Sequence, residues 1–177
     1  GEDWTKAFEY LVRSGDRAKD AYANSAALDW YARALDAAGR AAPPVTRRRV
    51  VEVHQRRGHI LVSTARIEEA IAEGQRMLDL ARAENDRPLE GEALADIAYA
   101  HYMTLSWDHM PDFKRYAEEA LVIAREVDDE RLLARTLYLI GSLDLMESRL
   151  TEASGKFDES LRIARTVGEE NECLFGH

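Results

Sequence analysis

The chain has 177 residues, 46% of them hydrophobic, with 24 Lys and Arg against 33 Asp and Glu and a net charge of −9. That balance disfavours general nucleic-acid binding, which needs a basic footprint, and opposes an anionic membrane surface. No apolar run approaches the ~20 residues of a membrane-spanning helix, and a single cysteine, Cys173, excludes an internal disulfide and suits a cytoplasmic compartment.

Apolar residues recur at the helical period, and eight helices are predicted, at about 3–19, 22–38, 46–63, 66–84, 88–105, 111–127, 130–147 and 151–167. The first pair carries Leu11 and Gly15, then AALDWYARAL, and stops at Gly39 before Pro43 and Pro44. The second carries Gly58 and Leu61, then EAIAEGQRML, and ends in the polar run Glu84-Asn85-Asp86-Arg87. Pro88 fits a first helical turn, where its missing N–H costs nothing, and Pro111 repeats that role. Between them lie Leu94, Ile97 and Ala98, followed by three extra residues in the turn around Ser106–Asp112. The last pair holds Leu137, Ile140-Gly141, Ala153 and Phe157, with Gly168 as its stop. No stretch alternates apolar and polar residues in the manner of a strand.

Gly15, Gly58, Ala98 and Gly141 stand at steps of 43, 40 and 43 residues. Self-similarity at this period marks a helical solenoid. A small residue at a fixed place on each first helix lets the paired backbones approach the ~8–10 Å of good helix packing. Ala27, Ala70 and Ala153 serve the second helices, with Tyr31 and Phe157 expected to fill space toward the next hairpin. Phe113 stands at the small position of the third unit, predicting a displaced second helix there.

This layout resembles the tetratricopeptide repeat (TPR), in which Leu-Gly and an aromatic are followed by Ala, an aromatic and Ala. The resemblance implies an all-α, right-handed superhelix of about four antiparallel helical hairpins, as one array of units at 3–39, 46–85, 88–128 and 130–168. The repeats are 40–43 residues long rather than 34. The stretches LARAENDRPLEGEALADIAYAHY and IAREVDDERLLARTLYLIGSLDL look like long-repeat arrays of bacterial multidomain regulators. Those include maltose-activator-type signalling ATPases and ATPases linked to adenylate or guanylate cyclases. The chain starts at Gly1 rather than Met, and 169–177 reads as the start of a truncated further unit. A fragment of a larger signalling protein is therefore expected, with an uncapped end open to homodimer formation.

No phosphate loop, dinucleotide fingerprint or nucleophile elbow is present. His54 and His59 are roughly 140° apart around a helix and cannot easily share a metal. Asp108-His109 lacks a visible nucleophile and reads as loop polarity. Catalytic, cofactor and metal sites are accordingly not expected. Two surfaces stand out instead. One is a basic patch of Arg48, Arg49, Arg56 and Arg57, suited to an acidic peptide, a phosphate or a neighbouring domain. The other follows from the TPR resemblance, which implies ligand binding on the concave face lined by the first helices. Register on the small residue places Gln55, His59, Tyr99, Tyr102, Met103, Tyr138, Leu145 and Met146 there, with Val12, Ala95 and Ser142 on the same stripe. Tyrosine and methionine give an adaptable apolar face, suited to a protein or peptide segment. The resemblance implies an interaction scaffold or, alternatively, a small-molecule-sensing repeat domain.

Overall fold

The computed structural model describes residues 2–167. The helices are α1 (Glu2–Asp20), α2 (Asn24–Arg40), α3 (Arg47–Ser63), α4 (Ile67–Glu84), α5 (Arg87–Met103), α6 (Met110–Glu126), α7 (Glu130–Met146) and α8 (Leu150–Thr166). All eight lie within two residues of the predicted bounds. The three extra residues of the third unit become a 3₁₀ turn, Trp107–His109, ahead of α6. No strand occurs among the described residues. Gly168 and the further helix expected from Glu169 lie outside them.

The chain forms two compact units, residues 1–80 and 81–177, the division falling within α4. In the first, α1 packs on α2 and α2 on α3. In the second, α5 packs on α6, α6 on α7 and α7 on α8, while α5 also meets α7.

The short connections have one backbone solution used repeatedly. Tyr22, Ala65, Asn85, Asp128 and Ser148 adopt positive φ, between 55° and 63°. After α1, Tyr22 N–H donates to the Lys19 carbonyl and Ala23 N–H to the Ala18 carbonyl. The same two bonds follow α4 (Asn85 to Arg82, Asp86 to Ala81) and α7 (Ser148 to Leu145, Arg149 to Asp144). This is the Schellman ending, which satisfies carbonyls that a helix terminus leaves open. No glycine announces it at these positions. The next residue begins another helix: Asp86 and Asp129 accept from the backbone N–H of Leu89 and Leu132, at 3.1 and 3.0 Å. Asp86 and Asp129 in these two turns are therefore helix caps.

The recurrent glycines act inside each hairpin. A Cβ on Gly15 would lie 2.4 Å from Tyr31 Cε1, and one on Gly141 would lie 2.8 Å from Phe157 Cε1. Each ring thus lies on the glycine of its own hairpin, correcting the expectation that it reaches toward the next one. The ring position is Gly74 in the second hairpin and Ala117 in the third. Gly58 accordingly has only Glu73 Cβ nearby, 3.9 Å from a Cβ built there. In the third hairpin large and small exchange places: Phe113 is buried at the usual alanine position and Ala117 is buried at the ring position. The Phe113 ring lies 5.4 Å from Tyr102.

Gly15→Ala should therefore destabilise the chain by about 1–3 kcal/mol through forced overpacking. Gly58→Ala should be neutral or stabilising by up to about 1 kcal/mol, since alanine is the better helix former and the space exists. Denaturant unfolding of the two variants beside the parent checks the contrast; equal losses would remove the packing explanation.

Candidate functional site

The basic cluster of α3 is largely committed to internal partners. Arg49 donates to Glu9 at 2.8 Å and to Glu52 at 2.5 Å, joining α3 to α1. Arg56 lies 3.5 Å from Asp16, whose carboxylate also accepts from the Tyr31 hydroxyl at 2.7 Å. Burial pushes the Tyr31 phenol up, and Asp16 reinforces the shift. Arg57 donates to Glu73 at 3.0 Å and to the Leu28 carbonyl at 3.1 Å. Of the four predicted patch residues, only Arg48 is exposed without an ion pair among the described residues.

Glu73 is the centre of this unit's buried charge. It is 2% exposed and accepts from Arg57 and Arg76 at 3.0 Å, with His54 Nδ1 at 2.6 Å. Burial raises its pKa, but the His54 and Arg57 contacts outweigh burial and hold it below the ordinary carboxylate range. These side chains line a cleft of about 280 Å³ among α2, α3 and α4, with Ala32, Leu35, Glu69 and Ala72. Gln55 and His59 are half-buried on α3 in this first unit.

The other six predicted groove residues belong to the second unit. On α5, the Tyr99 and Tyr102 rings lie 6.5 Å apart, and on α7 the Tyr138 ring lies 5.5 Å from Phe157. Burial raises the phenol pKa of Tyr99; burial and the neighbouring Tyr102 and Tyr99 raise that of Tyr138. All three rings are half-buried, Met146 likewise, while Met103 and Leu145 are exposed. Arg135 of α7 pairs with Asp96 of α5, locking the two helices beside this face. The structure therefore brings together Tyr99, Tyr102 and Tyr138. Val12, Ala95 and Ser142, predicted on the stripe, are buried instead. Their side chains are small enough to be enclosed, and Ser142 satisfies its hydroxyl by donating to the Tyr138 carbonyl at 3.0 Å.

Sequence reasoning missed the apolar apex next to this face. Leu105 is 73% exposed, Trp107 70% and Leu150 66%. The three-residue insertion was the available signal, since it projects two of them. The insertion is closed by a contact that sequence spacing does not show: His101 Nδ1 lies 3.1 Å from His109 Nδ1. One ring nitrogen must donate and the other accept, so the pair is satisfied by a single proton. His101 also stacks on Tyr116, with ring centroids 5.6 Å apart, and Arg115 covers that tyrosine at 3.9 Å. Burial lowers the His101 pKa; His109 and Arg115 lower it further, against the opposing charge of Asp112. Among the described residues no three His, Cys, Asp or Glu side chains gather into a metal cage, and no helix is long and apolar enough to cross a membrane.

The architecture is that of a TPR-like array of helical hairpins. No protein-family model and no curated protein matches the sequence. Among solved structures the chain is similar to the apo form of RapI, with a TM-score of 0.79 at 14% identity over 95% of this chain and 45% of that one. It is similar to aspartyl phosphate phosphatase F from Bacillus subtilis, with a TM-score of 0.78 at 16% identity over 93% of this chain and 42% of that one. A third is the Rap conjugation gene regulator of plasmid pLS20 in complex with the Phr* peptide, with a TM-score of 0.75 at 14% identity over 97% of this chain and 51% of that one. The chain thus spans about half the length of these proteins or less, and the likeness is one of fold.

The histidine pair makes a pH prediction. The folded pKa of His101 lies below its ordinary value of 6.5, so the unfolded chain binds its proton first. Its contribution is complete above that ordinary value and declines as pH falls through it toward the folded pKa. The slope is at most about 1.4 kcal/mol per pH unit for one proton. Melting temperatures between about pH 7 and 5 should fall less steeply in His101→Phe, which keeps a stacking ring and loses the titration. Carboxylates such as Asp144 act at lower pH and do not enter that window. An unchanged slope would exclude His101 as its source.

Proposed function

We propose that this chain is a non-catalytic interaction module that binds a segment of another protein, or a peptide, on the α5–α7 face. The observation that carries the reading is the cluster of Tyr99, Tyr102 and Tyr138 on two packed first helices, with Met103 and Leu145 exposed beside it. Tyrosine supplies broad contact area at low entropic cost, and methionine repacks to fit. Support from the comparisons is the shared fold with a Rap regulator whose structure includes the Phr* peptide. The long-repeat resemblance supports placing the module in a larger bacterial signalling protein, linked to an ATPase or a cyclase. The small-molecule alternative would use the cleft around Glu73, but its charged groups already satisfy one another.

The test is selection from a random peptide display library, followed by affinity measurement of enriched peptides. Tyr99→Ala and Leu145→Ala should each weaken binding by about tenfold or more, as anchor residues do. Their melting temperatures should stay close to the parent's. Retained affinity in both variants would move the site elsewhere, and a library that yields no binder would count against the module reading.

A further inference from the structure

We propose that the apex of the second unit receives a basic segment with apolar anchors, and that Trp107 is the residue the segment packs on. This rests on the peptide-binding reading above and names the chemistry of the partner. Three observations carry it.

The first is placement. The α5–α6 loop and the α7–α8 turn lie at the same end of two antiparallel hairpins whose first helices pack together. Met103, Leu105, Trp107, Leu145 and Leu150, all exposed, therefore stand at that one end of the unit, where α5 and α7 terminate. Leu105 adopts φ of 50°, a left-handed conformation that costs a leucine energy, and its side chain remains in water. An exposed tryptophan held on an insertion has the character of an interface anchor, because a large rigid ring is ordered at little entropic cost.

The second is charge at the level of the unit. Residues 81–177 contain eleven Lys and Arg against twenty-one Asp and Glu, whereas residues 1–80 contain thirteen against twelve. The chain's negative charge is thus concentrated in the unit that carries the apolar apex. A field of this kind steers cationic segments toward the unit and repels acidic ones.

The third is the state of the local charges. Arg149 and Lys156 both pair with the buried Asp144, Arg149 also pairs with Glu147, and Arg115 pairs with Asp112. Those three bases are thereby committed, whereas Lys114 of α6 is exposed and enters no ion pair among the described residues. Asp108, next to Trp107, and Glu152, two residues beyond Leu150, are exposed and enter no ion pair among the described residues. They are placed to receive lysine or arginine flanking an apolar anchor.

The experiment uses the full chain and two short labelled peptides with the same Leu and Phe positions, one with lysine and one with glutamate elsewhere. Fluorescence polarisation should show the lysine peptide binding about tenfold or more tightly than the glutamate peptide, with affinity falling as salt rises. Trp107→Ala should weaken it by about tenfold; the side chain is exposed, so the variant should melt like the parent. Asp108→Asn with Glu152→Gln should weaken the lysine peptide and flatten its salt dependence. Glu118→Gln with Glu159→Gln removes the same charge elsewhere in the unit and should change little.

Equal binding of the two peptides, an unaffected Trp107→Ala variant, or equal losses in both double variants would each overturn the proposal. If both peptides bind alike and Tyr99→Ala weakens both, the module reading stands and only the basic-partner inference falls. If these peptides fail while the display library yields binders, the outcome is the same.

Discussion

The closeness of paired helices is the constraint on which the rest depends. A glycine on the first helix leaves a space that the aromatic ring of the second fills, as Gly15 does for Tyr31 and Gly141 for Phe157. The contact fixes rotation of each helix about its axis as well as distance, since a turn of either would drive Cα substituents into the ring. Rotation in turn selects which side chains are enclosed and which reach water. Where the ring is missing the hairpins use other means: a buried carboxylate beside Gly58, and an exchange of large and small residues at Phe113 and Ala117. The same backbone arrangement thus tolerates three different fillings.

Burial of charge follows a common rule in both units. Glu73 gathers Arg57, Arg76 and His54, while Asp144 gathers Arg149 and Lys156. Each buried acid is held ionised by at least two basic partners, which is what makes its desolvation tolerable. The consequence for function is indirect. Basic residues that look available in a sequence are occupied inside the fold, and the acids they do not reach are left to define the surface. A patch inferred from the density of arginines between residues 47 and 57 is therefore mostly a set of structural ties, whereas in the sequence of the second unit acids outnumber bases by twenty-one to eleven.

That apex owes its existence to a departure from the repeat. The connections of two or three residues close with the longer bond of the Schellman ending and start the next helix at once. After α5 the chain makes only the shorter bond, Leu105 N–H to the Tyr102 carbonyl, and then runs through a 3₁₀ turn fastened by the histidine pair. Regular turns keep apolar residues within the helices; this longer one lifts a leucine and a tryptophan into solvent. It is attached through two imidazoles, and burial of His101 lowers the pKa of that ring.

The sequence by itself determined the helices, their pairing and the class of fold. Those depend on local signals: the 3.6-residue period, Pro88 and Pro111 in first turns, and the small residues at their fixed steps. It also located the aromatic and methionine residues of α5 and α7, because register on Ala98 and Gly141 orients those helices. Tertiary structure alone decided which charges are available, since partners such as Arg49 and Glu9, or His54 and Glu73, are far apart in sequence and meet only when helices pack. It likewise enclosed Val12, Ala95 and Ser142, whose small side chains the neighbouring helices cover. The exposure of Trp107 was decided there too. A tryptophan in a turn has no sequence signature for burial or exposure, and only the path of the inserted residues, pinned by His101 and His109, sets which it will be.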